Sequence, residues 1–151
     1  MKTLRVPATV ASLVAVAEFV GGAVAVAGLG DKDAYRLRLA VDELITNVIT
    51  HGYPPASAGE IELHSSVSDG WVLFLIVDFG TEFDPTSGHR PIPVVDPDDL
   101  PVGGFGLSLA RMSADRLIYE RVGGLNRTIV VVRRSGRDLV AHDDRRPPWM
   151  S

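Results

Sequence analysis

The chain has 151 residues, of which 46% are hydrophobic and 23% are charged, and its net charge is −4. This length and composition are ordinary for one globular domain with a hydrophobic core. No run of Lys or Arg provides the electrostatic footprint of a nucleic-acid-binding protein, so we expect no direct nucleic-acid partner. The chain contains no cysteine, which excludes disulfides, thiolate metal ligands and a cysteine nucleophile.

The first part of the chain is almost free of charge. Between residues 6 and 30 only Glu18 is charged. A segment of that length can cross a bilayer, but this one is built from Ala, Val and Gly more than Leu. A central glutamate also opposes insertion by ~2.5–3.5 kcal/mol. We therefore predict no membrane span, and instead a helix over residues 9–29 that ends at Gly28-Leu29-Gly30.

That first helix has more apolar positions than one core-facing stripe requires. The positions are Val10, Leu13, Val14, Ala17, Val20 and Val24. Apolar patches that remain exposed usually mark interfaces. We therefore predict that the first helix buries its outer face against another chain, either in a homodimer or in a complex with a partner.

The second helix is predicted over residues 34–50, with Asp31 or Asp33 as its cap. Five apolar residues share one face of this helix: Leu37, Val41, Leu44, Ile45 and Val48. Glu43 and Asn47 are spaced i and i+4, so they project together from the polar face. A carboxylate and an amide oxygen are hard donors suited to Mg²⁺. Taken alone, such a pair is more often part of a solvated helix face.

The hydrophobic period then changes to that of strands. Residues 61–67 alternate between apolar and polar, as in a half-buried strand, and residues 71–77 form a continuous apolar run. A helix is predicted over residues 105–114, followed by strands at 116–122 and 127–134. Pairs of adjacent strands beside segregated helices predict an α+β two-layer sandwich, with helices on one face of a mixed, mostly antiparallel sheet.

Two segments lack a regular period. Residues 79–104 are rich in proline and glycine and predict a long loop, which in a compact domain is usually functional or disordered. Residues 135–151 predict a flexible C-terminal tail. A single domain would therefore occupy residues 1–134.

Two glycine-containing motifs flank the long loop. Asp78-Phe79-Gly80 ends the most apolar strand, where the carboxylate can accept a hydrogen bond from an exocyclic amine and the glycine lets a ring approach the backbone. Gly103-Gly104-Phe105-Gly106 precedes a helix, where exposed N–H groups and the helix dipole favour phosphate. The spacing is not that of a Walker loop. An ordinary turn and a glycine hinge remain open as alternative interpretations.

The motifs are more specific in their order along the chain than any one of them is alone. "LRLAVDELITNVITHGY", "VDFGTEFDP" and "GGFGLSLARMSADRLIYERVGGLNRTIVVVRR" together resemble the Bergerat-type ATPases of histidine kinases, gyrase and MutL proteins. More closely, they resemble the bacterial anti-sigma factor serine/threonine kinases. The resemblance covers about residues 8–134. It implies the Bergerat ATP-binding fold, with residues 1–134 as a histidine-kinase-like ATPase domain.

The resemblance implies a role for each motif residue. Glu43 would polarise the attacking water or hydroxyl, Asn47 would coordinate Mg²⁺, and Asp78 would contact the adenine amino group. Gly80 would give room beside the base, and residues 82–102 would form a mobile lid. The remaining residues implied to bind the nucleotide, mostly at its phosphates, are Gly103, Gly104, Phe105, Gly106, Leu107 and Arg111.

The chain departs from the family pattern in two places. Many relatives have Asp-x-Gly-x-Gly at the strand end, whereas Glu82 occupies the second glycine position here. The first helix is also more apolar than in relatives. No helix pair with a phosphoacceptor histidine precedes the domain, so we do not expect a complete histidine kinase.

The resemblance implies a cytoplasmic anti-sigma factor that uses ATP and Mg²⁺ to phosphorylate a serine or threonine of an anti-anti-sigma (STAS-type) partner. Such a protein would sequester a sigma factor and thereby regulate transcription. Two alternatives remain open. One is an ATP-binding regulatory module without efficient phosphoryl transfer. The other is a protein of this fold that has lost nucleotide binding or hydrolyses ATP for another purpose.

Overall fold

The computed structural model describes residues 1–54, 59–87 and 106–135. These residues form five strands and three α-helices, with a 3₁₀ turn at Val10–Ser12 and a π-helix at Val48–Gly52. The helices are α1 (Leu13–Ala27), α2 (Asp31–Asn47) and α3 (Gly106–Ser113). The strands are β1 (Lys2–Pro7), β2 (Glu60–Ser68), β3 (Trp71–Asp78), β4 (Arg116–Val122) and β5 (Leu125–Arg133).

The strands form one sheet in the order β1-β2-β3-β5-β4. Every pairing between the described strands is antiparallel, so this part of the sheet is not mixed as the sequence suggested. Side chains alternate across β3, so Phe74 and Ile76 point to the helices, whereas Leu73 and Leu75 belong to a separate cluster on the other face. The predicted α+β two-layer sandwich is confirmed.

The main core lies between the sheet and α2. Leu37, Val41 and Ile45 of α2 are fully buried and belong to the same cluster as Phe74 and Val130 of the central strands. Fully burying one such aliphatic side chain stabilises a fold by about 1.5–3 kcal/mol. Because this face of α2 is fixed against the sheet, the opposite side of the helix is held in a constant position.

Helix α1 packs beside α2 with only part of its surface. Val16 and Val20 are buried, and the ring of Phe19 meets Phe74 edge-on, with centroids 5.8 Å apart. Of the six apolar positions singled out in the sequence, Val10 in the 3₁₀ turn and Val14 remain 71% and 68% exposed, whereas Val20 is buried and Leu13 and Val24 pack partly buried against the core. The segment Val10–Ala27 is long and apolar enough to cross a membrane by length and composition, which is weak evidence because core helices and signal sequences pass the same criterion.

Strand β1 was not predicted from the sequence. Leu4 and Val6 alternate with polar residues, as in a half-buried strand, but this short pattern runs directly into the long apolar segment, which obscures it. The strand pairs antiparallel with β2, with Leu4 opposite Leu63. It extends the sheet by one strand and forms one of its two edges.

The start of α2 also differs from the prediction. Gly30 is the N-cap residue, and neither proposed aspartate caps the helix with its side chain. Asp33 is instead only 3% exposed and accepts hydrogen bonds from the backbone N–H and hydroxyl of Ser135, at 2.7 and 2.8 Å. Ser135, the first residue of the predicted tail, is therefore held against α2, whereas residues 136–151 lie outside the described residues.

Arg36 completes this cluster at the start of α2. Its guanidinium contacts Asp33 at 3.1 Å and Asp115, in the link between α3 and β4, at 2.9 Å. Burial alone raises the pKa of Asp33, but the hydrogen bonds from Ser135 and Arg36 outweigh it and lower that pKa overall. A carboxyl group with a lowered pKa stabilises the fold above its unfolded pKa, and the stabilisation is lost as the pH falls through the folded pKa.

We expect Asp33→Asn to lower the free energy of unfolding by about 1–3 kcal/mol at pH 7, because charge-assisted hydrogen bonds are lost. Asp31→Asn, an exposed change in the same helical turn, is the matched control. Urea unfolding of both variants between pH 7 and pH 3 measures the effect. The deficit of Asp33→Asn should shrink below about pH 4 as the wild-type carboxyl is protonated. Equal stability of the two variants at pH 7 would contradict this role.

Candidate functional site

A small cavity lies where α2 ends, beside the ends of β3 and the start of β5. It encloses about 30 Å³. Its polar lining includes Asn47, His51, Asp78, Thr81, Asn126 and Thr128, and its apolar lining includes Leu44, Val48, Ile76, Phe83 and Pro85. The structure therefore brings together two residues that the sequence singled out from motifs more than 30 residues apart, Asn47 and Asp78.

Glu43 lies one helical turn before Asn47 and is half-buried on the same helix. Burial raises the pKa of the Glu43 carboxyl, and the negative charge of Asp42 raises it further. Among the described residues, neither the Glu43 carboxylate nor the Asn47 amide has a hydrogen-bond partner within the protein. Asn47 lines the cavity, whereas Glu43 is not among its lining residues, and a contact of either group with a ligand stays a prediction.

The helix changes its winding directly after Asn47. The π-helix Val48–Gly52 is a feature that often occurs at functional sites. At its end, the carbonyl oxygen of Gly52 accepts a hydrogen bond from the N–H of Thr81 at 2.8 Å. This bond joins the end of the helical segment to the chain that leaves β3.

Gly80 has a different reason to be glycine from the one inferred from the sequence. A Cβ atom at this position would lie 2.4 Å from the carbonyl oxygen of Gly52 and 3.0 Å from Asp78 Oδ1. The small residue is required by the close approach of two backbone segments. Whether it also gives room to a base stays a prediction.

Tyr53 stabilises the same region, where the segments of Gly52 and Gly80 meet, through two hydrogen bonds. Its hydroxyl donates to the carbonyl of Glu60 at 2.7 Å and accepts from the N–H of Phe79 at 2.8 Å. Its ring lies so close to Gly59 that a Cβ there would be 2.5 Å from ring carbons. Tyr53 therefore links the end of β3 to the start of β2, a role that the sequence did not reveal.

Asp78 is 3% exposed, at the end of β3. Its Oδ1 accepts hydrogen bonds from the N–H of Gly80 and from Asn126 Nδ2, each at 2.9 Å. Its Oδ2 accepts none from the described residues. Because no fully buried polar side-chain atom in this part of the chain lacks a partner, Oδ2 must retain access to the cavity. The carboxylate therefore presents one free acceptor atom.

Asn126 was missed because the sequence interpretation placed it in a turn. The turn consists of Gly123 and Gly124, both with positive φ, and Asn126 lies within β5 opposite Asp78. The signal available was the two consecutive glycines, which suffice for a two-residue hairpin turn. With that shorter turn, Asn126 falls on the same face of the sheet as Thr128 and Val130.

Arg111 of α3 contacts the loop that leaves β3. Its Nε donates to the carbonyl of Pro85 and its Nη2 to that of Ser87, both at 2.8 Å. The Asp84 carboxylate accepts from the N–H and hydroxyl of Thr86 and so shapes this turn. In this structure Arg111 holds the loop, and its predicted phosphate contact stays a prediction.

The glycine motif is only partly described. Gly103, Gly104 and Phe105 lie outside the described residues. Gly106 is the first residue of α3 and Leu107 is the second. The described part of α3 therefore includes the last residue of the motif, Gly106, one residue after the predicted start at residue 105, and the phosphate contacts stay predictions.

The donor set fits magnesium bound together with phosphate groups. No group of three His, Cys, Asp or Glu residues that could hold a metal occurs within residues 1–54, 59–87 and 106–135. Mg²⁺ commonly takes one or two protein oxygens and completes its coordination with phosphate oxygens and water. The Asn47 amide oxygen suits that arrangement.

The cavity as it stands is too small for a purine ring. A volume of about 30 Å³ suits a water molecule, whereas small-molecule pockets measure roughly 300–1,000 Å³. Phe83 and Pro85 contribute to its wall. A purine ring can therefore reach Asp78 only if the cavity widens.

We expect Gly80→Ala to destabilise the fold by at least about 2 kcal/mol, because the added Cβ forces apart the Gly52 and Gly80 segments. Gly22→Ala is the matched control, since a Cβ at this helical position meets no atom within 4 Å. The control should be neutral or more stable by up to about 1 kcal/mol. Thermal or urea unfolding compares the two variants. Equal stabilities would contradict the close approach.

Two curated proteins with related sequences carry the names of protein kinases. The chain is 33% identical over 92 residues to the serine/threonine-protein kinase BtrW of Bordetella bronchiseptica, an alignment that spans 61% of this chain and 65% of that protein. It is 26% identical over 111 residues to the serine-protein kinase RsbW of Bacillus subtilis, spanning 71% of this chain and 68% of that protein. The chain thus spans about two thirds of the length of these curated relatives.

Comparison with solved structures and family models agrees with the fold. The RsbU and RsbW domains of a Mycobacterium tuberculosis protein superpose with a TM-score of 0.58 at 17% identity, over 89% of this chain and 33% of that one. At that identity the likeness supports the fold alone. The model of the histidine kinase-like ATPase domain matches residues 6–133. Because this match covers most of the sequence, the chain belongs to the histidine kinase-like ATPase domain family.

Proposed function

We propose that this protein is an ATP-binding anti-sigma factor that phosphorylates a serine or threonine of an anti-anti-sigma (STAS-type) partner. The observation that carries the proposal is the meeting of Asn47 and Asp78 in one cavity, with the Glu43 carboxylate one helical turn from Asn47. Relatives that carry the name serine-protein kinase support the same activity.

ATP and Mg²⁺ are the proposed cofactors. Asp78 Oδ2 would accept a hydrogen bond from the adenine amino group, and Asn47 would hold the metal ion. Bound Mg²⁺ would neutralise charge on the phosphate groups. Backbone N–H groups at the start of α3, together with Gly103, Gly104 and Phe105, would face those phosphates.

Glu43 is the proposed catalytic residue. Phosphoryl transfer depends mostly on positioning and charge neutralisation, with a carboxylate that orients the attacking hydroxyl and accepts its proton. A general base works best when its pKa lies near the working pH. Burial and the neighbouring Asp42 raise the pKa of Glu43 in that direction.

The partners and the assembly are part of the proposal. The exposed apolar residues of α1 and of the 3₁₀ turn before it, Val10, Val14 and Val26, would be covered in a homodimer or by a partner. The protein would act in the cytoplasm, where it would sequester a sigma factor when the anti-anti-sigma protein is phosphorylated. It would thereby regulate transcription through protein contacts, without binding nucleic acid directly.

We expect Asn47→Ala to weaken ATP binding in the presence of Mg²⁺ by about tenfold or more, because a metal ligand is removed. Thr46→Ala, at the preceding helix position outside the cavity lining, is the control and should bind normally. Titration calorimetry with and without Mg²⁺ separates metal binding from base binding. If Asn47→Ala binds ATP with Mg²⁺ as tightly as the wild type does, this amide does not hold the metal.

We expect Glu43→Gln to keep ATP affinity within a few fold while phosphate transfer to the partner falls by ~10²-fold or more. The partner is obtained by co-purification from the native host and mass spectrometry, and transfer is followed with radiolabelled ATP. Phosphate transfer by the wild type should decline as the pH falls and Glu43 is protonated. Because the pKa of Glu43 is raised, this decline should begin at a higher pH than it would for an ordinary glutamate.

Asp42→Asn is the matched control for this experiment. It removes a neighbouring negative charge, so it should keep transfer and move the acid limb of the pH profile to lower pH. An equally active Glu43→Gln variant would remove Glu43 from the chemistry. A wild type that binds ATP but transfers no phosphate to a validated partner would instead favour the ATP-binding regulatory module.

A further inference from the structure

Asn126 makes five hydrogen bonds at the inner end of the cavity. Its Nδ2 donates to Asp78 Oδ1 at 2.9 Å, to the carbonyl of Thr81 at 3.0 Å and, over a longer 3.4 Å, to that of Gly80. Its Oδ1 accepts from the hydroxyl of Tyr119 at 2.6 Å and from Arg121 Nη1 at 2.9 Å. The side chain is 4% exposed, so water contributes little to these contacts.

These partners determine which way the amide faces. Tyr119 and Arg121 both donate hydrogen bonds, so the atom that meets them must be the amide oxygen. The atom that meets Asp78 and the two carbonyl oxygens must then be the nitrogen. A flipped amide would set donors against donors on one side and oxygen against oxygen on the other.

The orientation of Asn126 has a consequence for Asp78. With Oδ1 of Asp78 occupied by Asn126 and by the N–H of Gly80, the carboxylate cannot rotate without breaking both bonds. Oδ2 is thereby kept toward the cavity as an acceptor. Arg121 strengthens the arrangement because it donates to the Gly80 carbonyl at 3.0 Å as well as to Asn126.

We propose that Asn126 is a positioning residue that gives the site its preference for a purine with an exocyclic amino group at the position facing Asp78. The inference rests on the proposed function, in which Asp78 contacts adenine. A fixed acceptor favours the amine of adenine and opposes the carbonyl oxygen that hypoxanthine presents at the same position, because two acceptors then meet. If Asn126 only supported the hairpin between β4 and β5, its loss would weaken the binding of the adenine and the hypoxanthine nucleotide equally.

The test compares the affinities for ATP and inosine triphosphate, both with Mg²⁺, by titration calorimetry. The wild type should prefer ATP. Asn126→Ala and Asn126→Leu, which has a similar size but no hydrogen-bonding group, should each lower the ratio of the two affinities by about tenfold. Tyr119→Phe is the control and should keep the ratio within about twofold, because Arg121 still orients the amide.

A double-mutant cycle identifies the atom through which Asn126 acts. In an Asp78→Asn background, the further change Asn126→Ala should leave the affinity ratio unchanged. Solution NMR of the wild type gives a second measurement that does not depend on the folding of any variant. The side-chain amide resonances of Asn126 should shift when ATP binds and shift much less with inosine triphosphate.

The outcomes separate the two proposals. A wild type that binds neither nucleotide overturns the proposed function and this inference with it. A wild type that binds ATP, with an unchanged ratio in both Asn126 variants, overturns the positioning role and leaves ATP binding intact. The same holds if the Asn126 resonances shift equally with both nucleotides.

Discussion

The contact between the Gly52 carbonyl and the backbone of Gly80 and Thr81 is the constraint on which the candidate site depends. It joins the end of the π-helix, and so the helix that carries Glu43 and Asn47, to the segment after Asp78. A side chain at position 80 would separate them. The side chains of Asn47 and Asp78 come from segments distant in sequence, and this backbone contact joins those two segments beside the cavity.

Hydrogen bonds then orient the Asp78 carboxylate beside this junction. Asp78 is nearly buried, and a buried carboxylate is unfavourable unless it is hydrogen-bonded. Gly80 and Asn126 satisfy one of its oxygens, which leaves the other for the cavity. Asn126 also fastens the Thr81 carbonyl, so the same side chain orients the carboxylate and shapes the start of the loop. The orientation of the Asp78 carboxylate and the geometry of the loop are therefore coupled through one amide.

Much of the fold and part of the site could be predicted from the sequence, because the patterns that determine them lie within single helices and strands. The spacing of Glu43 and Asn47 by four residues determines their common helix face, and the apolar run of β3 predicts its central place in the sheet. The contribution of Asn126 depends on strand register, which a two-residue turn fixes and which local pattern did not resolve. The position of Gly52 depends on a π-helix, for which the sequence carries no recognised signal.

The electrostatics of α2 show which of its charges contribute to stability. Asp33, at the start of the helix, has hydrogen-bond partners that lower its pKa, so its ionised form stabilises the fold. Glu43 has a raised pKa and no such partner among the described residues, so its ionised form is disfavoured in the fold. Its contribution to stability is therefore lost as the pH rises from the pKa of an unfolded glutamate through the raised folded pKa. Burial and a like-charged neighbour raise the pKa of Glu43 with no compensating hydrogen bond among the described residues, and raised basicity suits the proton-accepting role proposed for this group.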